Sequence, residues 1–240
     1  MANGNARSQI VAMHRLFLSL TALSIGIVVV GFWPSYFGPL IRGVVDRPDF
    51  IHFHAMVFSG WMALFVAQVV LASTGRIATH RKVGNIGIAY GIGIFFVGVF
   101  TAIAMFDLRV EAGEIEQARR QVLAPLTDMI VFPIFFGAAI YYRRKPEMHK
   151  RLMLVATNVL LIAAALRLRA FGDPLPFALR IAIWVSPVML AMAYDYFTRR
   201  LIHPAYVVGL IGLLILSQRG RLQGTAFWDV ISGWLVTVVS

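Results

Sequence analysis

The chain has no cysteine and only three lysines, Lys82, Lys145 and Lys150, among its 240 residues. Without cysteine there is no disulfide frame, no thiolate metal centre and no cysteine nucleophile. Charge of either sign is scarce: 14% of the residues are charged, against about a quarter in a soluble domain. Apolar residues fill the gap at 59%, more than a water-soluble fold of this length can bury. Composition therefore makes lipid the main solvent. A net charge of +11 would suit a polyanion, but the basic residues fall in short clusters between apolar runs. That pattern belongs to membrane topology and leaves no soluble basic face for nucleic acid.

A crossing needs about 20 mainly apolar residues. The apolar runs predict helices near residues 11–33, 52–74, 84–106, 123–142, 151–171, 178–198 and 203–218. The fold class is thus all-α: a polytopic transmembrane bundle of about seven spans in one domain, residues 1–240. The last run is short for a full crossing. The closing segment TAFWDVISGWLVTVVS, with Asp229 and two tryptophans, predicts a short interfacial or re-entrant helix. The N-terminal MANGNARSQIVAMHRL lacks a small-residue cleavage site after its apolar run, so the first helix reads as a retained signal anchor.

Twelve of the 22 basic residues, including all the lysines, fall on one side of this topology. They lie in the N-terminal tail (Arg7, Arg15) and in short loops around Arg76, Arg81 and Lys82, around Arg143 to Arg151, and at Arg199 and Arg200. Dense short basic loops orient a membrane protein, so the N-terminus is expected in the cytoplasm. The opposite loops carry most of the acids. Residues 107–122 among them predict a polar surface helix, with Glu116 and Arg120 spaced for an ion pair. Gly84, Gly87, Gly91 and Gly98 form a stripe on the third span, suited to close helix packing or to the approach of a flat cofactor. Pro125, Pro133 and Pro187 predict kinks.

Ionisable groups inside a bilayer are costly and face the bundle interior. Counting residues through the spans sorts them into two layers. On the cytoplasmic side lie His14, His80, His149, His203 and Asp195. On the other lie His52, His54, Asp128 and Arg167. Arg151 is a further candidate for an interior polar residue. His54, Trp61 and Gln68 are seven apart and share a helix face. Asp128 and Arg167 are at matching depth, which suggests an ion pair between them, and Asp195 is one turn from Arg199.

Several histidines at one depth suggest ligation of haem iron or another metal by imidazole. Each also has an ordinary use at the headgroup level, contacting phosphate or capping a helix. His54, His80, His149 and His203 are the candidate cofactor ligands; His80, His149, His203 and Asp195 are the candidate set for a bare metal. No HxxxH or HExxH pair occurs, and His52 and His54 project about 200° apart on a helix.

The hairpin built on His54, Trp61, Gln68, Leu71, Gly75, Arg76, His80, Arg81 and Gly84 resembles the core of ascorbate- and quinol-linked b-type cytochromes. That resemblance implies haem b as cofactor, histidine axial ligands and a quinone or another redox partner. Here His54 and His80 fall at opposite membrane faces, so each needs a partner on another helix, with His149 the obvious one for His80. The stretches RRKPEMHKRLMLVAT and YDYFTRRLIHPAY are similar to those of uncharacterised bacterial multi-pass inner-membrane proteins, which implies a location without a chemistry.

Three function classes follow: a haem-b electron-transfer protein, a non-redox transporter or accessory protein with Asp128, Arg167 and Asp195 as polar switches, and a membrane metalloenzyme acting on lipid.

Overall fold

The structure, a computed structural model, describes the backbone of residues 2–239 and the side chains of residues 11–238. Arg7 of the N-terminal tail lies outside the described side chains. Eight helices make the bundle. The first four are α1 (Ala2–Phe32), α2 (Asp49–Ser73), α3 (Ile77–Glu111) and α4 (Ile115–Tyr141). The others are α5 (Pro146–Leu160), α6 (Phe177–Arg199), α7 (Pro204–Ser217) and α8 (Ala226–Val239). A π-helical stretch, Trp33–Phe37, and a last turn, Gly38–Ile41, prolong α1. A four-residue turn, Ile162–Ala165, prolongs α5. Five of the helical segments are long and apolar enough to cross a membrane, and α7 and α8 are shorter apolar helices. The protein is a multi-pass helical membrane protein. Exposed large side chains such as Ile86, Phe96, Ile130, Phe197, Val208 and Ile215 make its outer faces apolar, as lipid requires.

Two tight turns set the antiparallel order of the first hairpins. Helix α2 closes at Gly75, whose φ of +74° only glycine adopts without strain. The Arg76 N–H bonds the Leu71 carbonyl at 2.9 Å and the Gly75 N–H the Ala72 carbonyl at 3.2 Å, a Schellman closure. The same closure recurs at Gly113, φ +77°, between α3 and α4. This corrects one expectation: residues 107–122 are not a separate surface helix. They are the last turns of α3 and the first of α4, joined at Gly113. Glu116 pairs there with Arg119 at 3.2 Å, not with Arg120.

The glycine stripe of α3 is divided between two neighbours. A side chain at Gly91 would strike Phe136 and one at Gly98 would strike Met129, both on α4, whereas Gly87 faces Leu64 and Gly84 faces Gln68 on α2. Close packing explains it. The helices run on through Pro125, Pro133 and Pro187. The carbonyl that Pro187 strips of its partner, that of Ile183, is taken by the Ser186 hydroxyl at 2.7 Å.

The shortest of the central helices is the most enclosed. Helix α5 buries Arg151, Leu152 and every residue from Leu154 to Val159. It packs against α4, α6 and α7, while its continuation packs against α1. Asn158 makes a reciprocal pair with Trp184 of α6: its amide donates to the Trp184 carbonyl at 2.9 Å, and the Trp184 indole donates to the Asn158 carbonyl at 2.6 Å. Helix α8 packs on the far ends of α3 and α4, with Trp228 and Leu235 against Phe106 and Val122. Arg119 anchors it by bonds to Ser232 Oγ (2.9 Å) and the Asp229 carbonyl (3.1 Å).

Candidate functional site

The turn ending α2 places His80 in the first turns of α3, and the turn after α4 places His149 in the first turns of α5. The two imidazoles meet with ring centroids 6.5 Å apart and planes at 83°. His149 Nδ1 lies 2.8 Å from the carbonyl of Ala139, in the last turn of α4. That carbonyl is one of those a helix end leaves without a partner. A carbonyl only accepts, so Nδ1 carries the proton, and Nε2 of the neutral ring keeps its lone pair.

His80 has two ways to bond. Its Nδ1 lies 3.3 Å from the Gln68 main-chain carbonyl, a contact that places the proton on Nδ1 and frees Nε2. The Gln68 side chain competes. In the amide orientation that satisfies both its ends, Oε1 accepts from the Gly84 N–H at 2.9 Å, and Nε2 donates to the His80 carbonyl at 3.2 Å and to His80 Nδ1. That last bond asks for the other tautomer. A metal on Nε2 would select the first.

His203 and Asp195 do not join this pair. His203 caps α7, its Nδ1 accepting from the Ala205 N–H at 3.2 Å, and its own N–H reaches Asp195 Oδ2 at 3.4 Å. Asp195 belongs to a charged knot. Arg151, 1% exposed, donates to both Asp195 oxygens at 2.9 and 3.0 Å and again, from Nε, at 3.3 Å. Its third nitrogen serves the Glu147 carboxylate at 2.7 Å and carbonyl at 2.8 Å, and its plane lies over the Tyr206 ring at 5.2 Å. Arg199, the sequence-based partner of Asp195, stands 3.9 Å away and bonds Glu147 more closely at 3.0 Å. The knot ties α5, α6 and α7. Taking away one member of such a buried pair costs about 3–5 kcal/mol, because the other charge is left uncompensated.

Glu147 sits one turn ahead of the apolar stretch of α5. Burial would raise its carboxyl, but hydrogen bonds from Lys150 and Arg151, the charge of Lys150 and a hydrogen bond from Arg199 outweigh burial and hold it down at about 2.

The other polar layer departs from the expected pairing. Asp128 bonds Arg219, not Arg167. Helix α7 has 14 residues and rises only about 21 Å. It therefore delivers Arg219 part-way along α4, where it also meets the Ala124 carbonyl at 3.1 Å and Thr127 Oγ1 at 3.3 Å. Arg167 turns toward α1 and lies over the Phe32 ring at 4.9 Å. His54 stacks on Phe58 at 4.1 Å, and its Nδ1 is buried without a hydrogen-bond partner. His52 bonds the Tyr36 hydroxyl at 2.9 Å. Trp61, midway between His54 and Gln68, is a core residue wedged against Phe132 and Phe136.

Sequence reasoning named Arg151 as an interior polar residue and put Asp195 near the cytoplasmic end of its span, but did not bring the two together. Asn158 gave no signal, because one amide in an apolar helix has no spacing partner. Among the described residues, no group of three or more His, Cys, Asp or Glu side chains could hold a metal ion. His80 and His149 thus stand as a pair of imidazoles with no third such side chain beside them among the described residues. Comparison with protein-family profiles, with curated proteins and with solved structures gives no match for this chain.

Proposed function

We propose that this multi-pass membrane protein holds haem b between His80 and His149 and carries electrons. The observation that carries the reading is the separation of the two rings. Two imidazoles that share an iron sit about 2 Å from it on either side, which puts their ring centres about 6 Å apart. The 6.5 Å between the His80 and His149 ring centres fits that spacing. A direct N–H···N bond between the rings would draw the centres to about 5 Å. The carbonyl contacts at Nδ1 of both rings match the arrangement that fixes and strengthens a ligating histidine. Bound there, the haem would supply a one-electron couple within the membrane.

The chain's own residues would then do the following. The Ala139 carbonyl holds the His149 proton at Nδ1, and the Gln68 main-chain carbonyl does so for His80. The basic residues flanking the pair in sequence, Arg81 and Lys145, would meet the propionates. On this reading the site is on the cytoplasmic face of a bacterial inner membrane, and a quinone or another redox partner exchanges the electron. The zinc-hydrolase alternative needs three protein ligands and an open position, and no third ligand joins the pair among the described residues. The polar-switch alternative relies on Asp128, Arg167 and Asp195, and both of its carboxylates are tied into ion pairs with arginines.

The test is an absorption spectrum of the full chain, expressed with ample haem and purified in detergent. We expect a Soret band that shifts on reduction, is lost in His80→Ala and in His149→Ala, and persists in His203→Ala. Colourless wild-type protein, or a band that survives both substitutions, would sink the reading.

A further inference from the structure

At the far end of the molecule from His80 and His149, the end of α1 faces the short antiparallel hairpin Arg169–Ala170 with Asp173–Pro174. Between them is a cavity of about 320 Å³. It is lined by three arginines, Arg167, Arg169 and Arg180, the first two exposed, together with Ser35, Pro34 and Leu166. Among the described residues, no carboxylate lines it. Among the described residues, the arginines hydrogen-bond main-chain carbonyls, that of Ala163 for Arg167, that of Gly172 for Arg169 at 3.0 Å, and that of Leu166 for Arg180 at 2.7 Å, and Arg167 and Arg180 also lie near the Phe32 and Phe177 rings. Arg47 adds a fourth positive charge within electrostatic range of Arg167.

Two buried polar atoms here have no hydrogen-bond partner, Arg180 Nε and Ser35 Oγ. An unsatisfied buried donor costs about 1–3 kcal/mol, more when it is charged. Cations that converge without a counter-charge repel one another as well. A tetrahedral anion answers both problems, because guanidinium forks fit phosphate oxygens in pairs. The hairpin beside the cavity ends in Phe171, which is fully exposed. An aromatic ring so placed suits insertion at the membrane surface.

We infer that this cavity binds a phosphate group, with Arg167, Arg169 and Arg180 as the ligands. The same chemistry is offered by an anionic phospholipid headgroup and by free phosphate. The site is independent of the histidine pair and stands whether or not haem is bound.

Thermal unfolding of the full chain in detergent reads the site with three probes: inorganic phosphate, phosphatidylglycerol and phosphatidylcholine. A saturable rise of the midpoint with phosphate identifies free anion as the ligand. A rise with phosphatidylglycerol alone identifies a headgroup. No rise with either, or an equal rise with phosphatidylcholine, overturns the inference. In the Arg167→Gln/Arg169→Gln double variant, apparent affinity should fall at least tenfold, while Arg143→Gln at the other end leaves it unchanged. If the double variant fails to fold, Arg169→Gln alone decides, since that side chain bonds only the hairpin. Unchanged affinity there counts against the site.

Discussion

Glu147 shows how one side chain sets a pH limit. Its folded carboxyl, held at about 2, lies below its ordinary 4.5. A depressed carboxyl stabilises the fold above the unfolded value and loses that contribution as pH falls toward the folded one. Thermal midpoints should therefore be flat with respect to this group above about pH 5 and drop between pH 4.5 and 2. Glu147→Gln should lower the midpoint at neutral pH and remove part of the acid-side slope. Because half of the Glu147 side chain is exposed, solvent screens the effect and keeps it modest. A variant whose acid profile overlays the wild type would show that Glu147 is not part of the knot. At the same scale, Gln68 decides which His80 tautomer prevails, since its carbonyl and its amide favour opposite ones.

Among the elements, α3 and α4 depend on contact that only small residues allow. Gly91 admits the Phe136 ring, which stacks with Phe132 and meets Trp61 edge-on. Gly91→Val should destabilise by about 1–3 kcal/mol through overpacking, seen as a lower unfolding midpoint in detergent. Gly93 has open space where a side chain would go, so Gly93→Ala should leave the midpoint unchanged. If both variants behave alike, the close approach of α3 and α4 is not what holds the hairpin. Helix α5 has the opposite character: short, polar at its start, and enclosed on all sides. Its buried charge and its Asn158 amide N–H are answered by neighbours, Arg151 by Asp195 and Asn158 Nδ2 by the Trp184 carbonyl, while Asn158 Oδ1 and Thr157 Oγ1 are buried without a partner.

For the whole molecule, the two polar ends are separated by the aromatic and aliphatic core around Trp61, Phe132, Phe136 and Trp184. The proposed orientation puts the histidine-pair end in the cytoplasm. The absence of cysteine makes this measurable without removing a native thiol. Lys145→Cys should react with a membrane-impermeant maleimide in inside-out vesicles only, and Glu114→Cys in intact spheroplasts only. Reversed labelling would invert the orientation and place the histidine pair outside.

The solvent, the fold class and the helix order could be read from the sequence, because runs of about 20 apolar residues and basic loops follow from the bilayer itself. So could the basic turn between the second and third runs and the meeting of His80 with His149, since both start helices on the same face. The break at Gly113 could not, because the polar run 107–122 reads as one continuous helix until the backbone turns there. Pairings were another matter. Asp128 and Arg167 share a depth, yet Arg219 takes Asp128, because α7 is too short to cross and ends beside α4. Arg151 and Asp195 are 44 residues apart, and no periodicity relates residues on different helices. Residue counting gives a height in the membrane. Rotation about each helix axis and the choice of neighbour are set by packing, so only the tertiary structure could decide which charges touch.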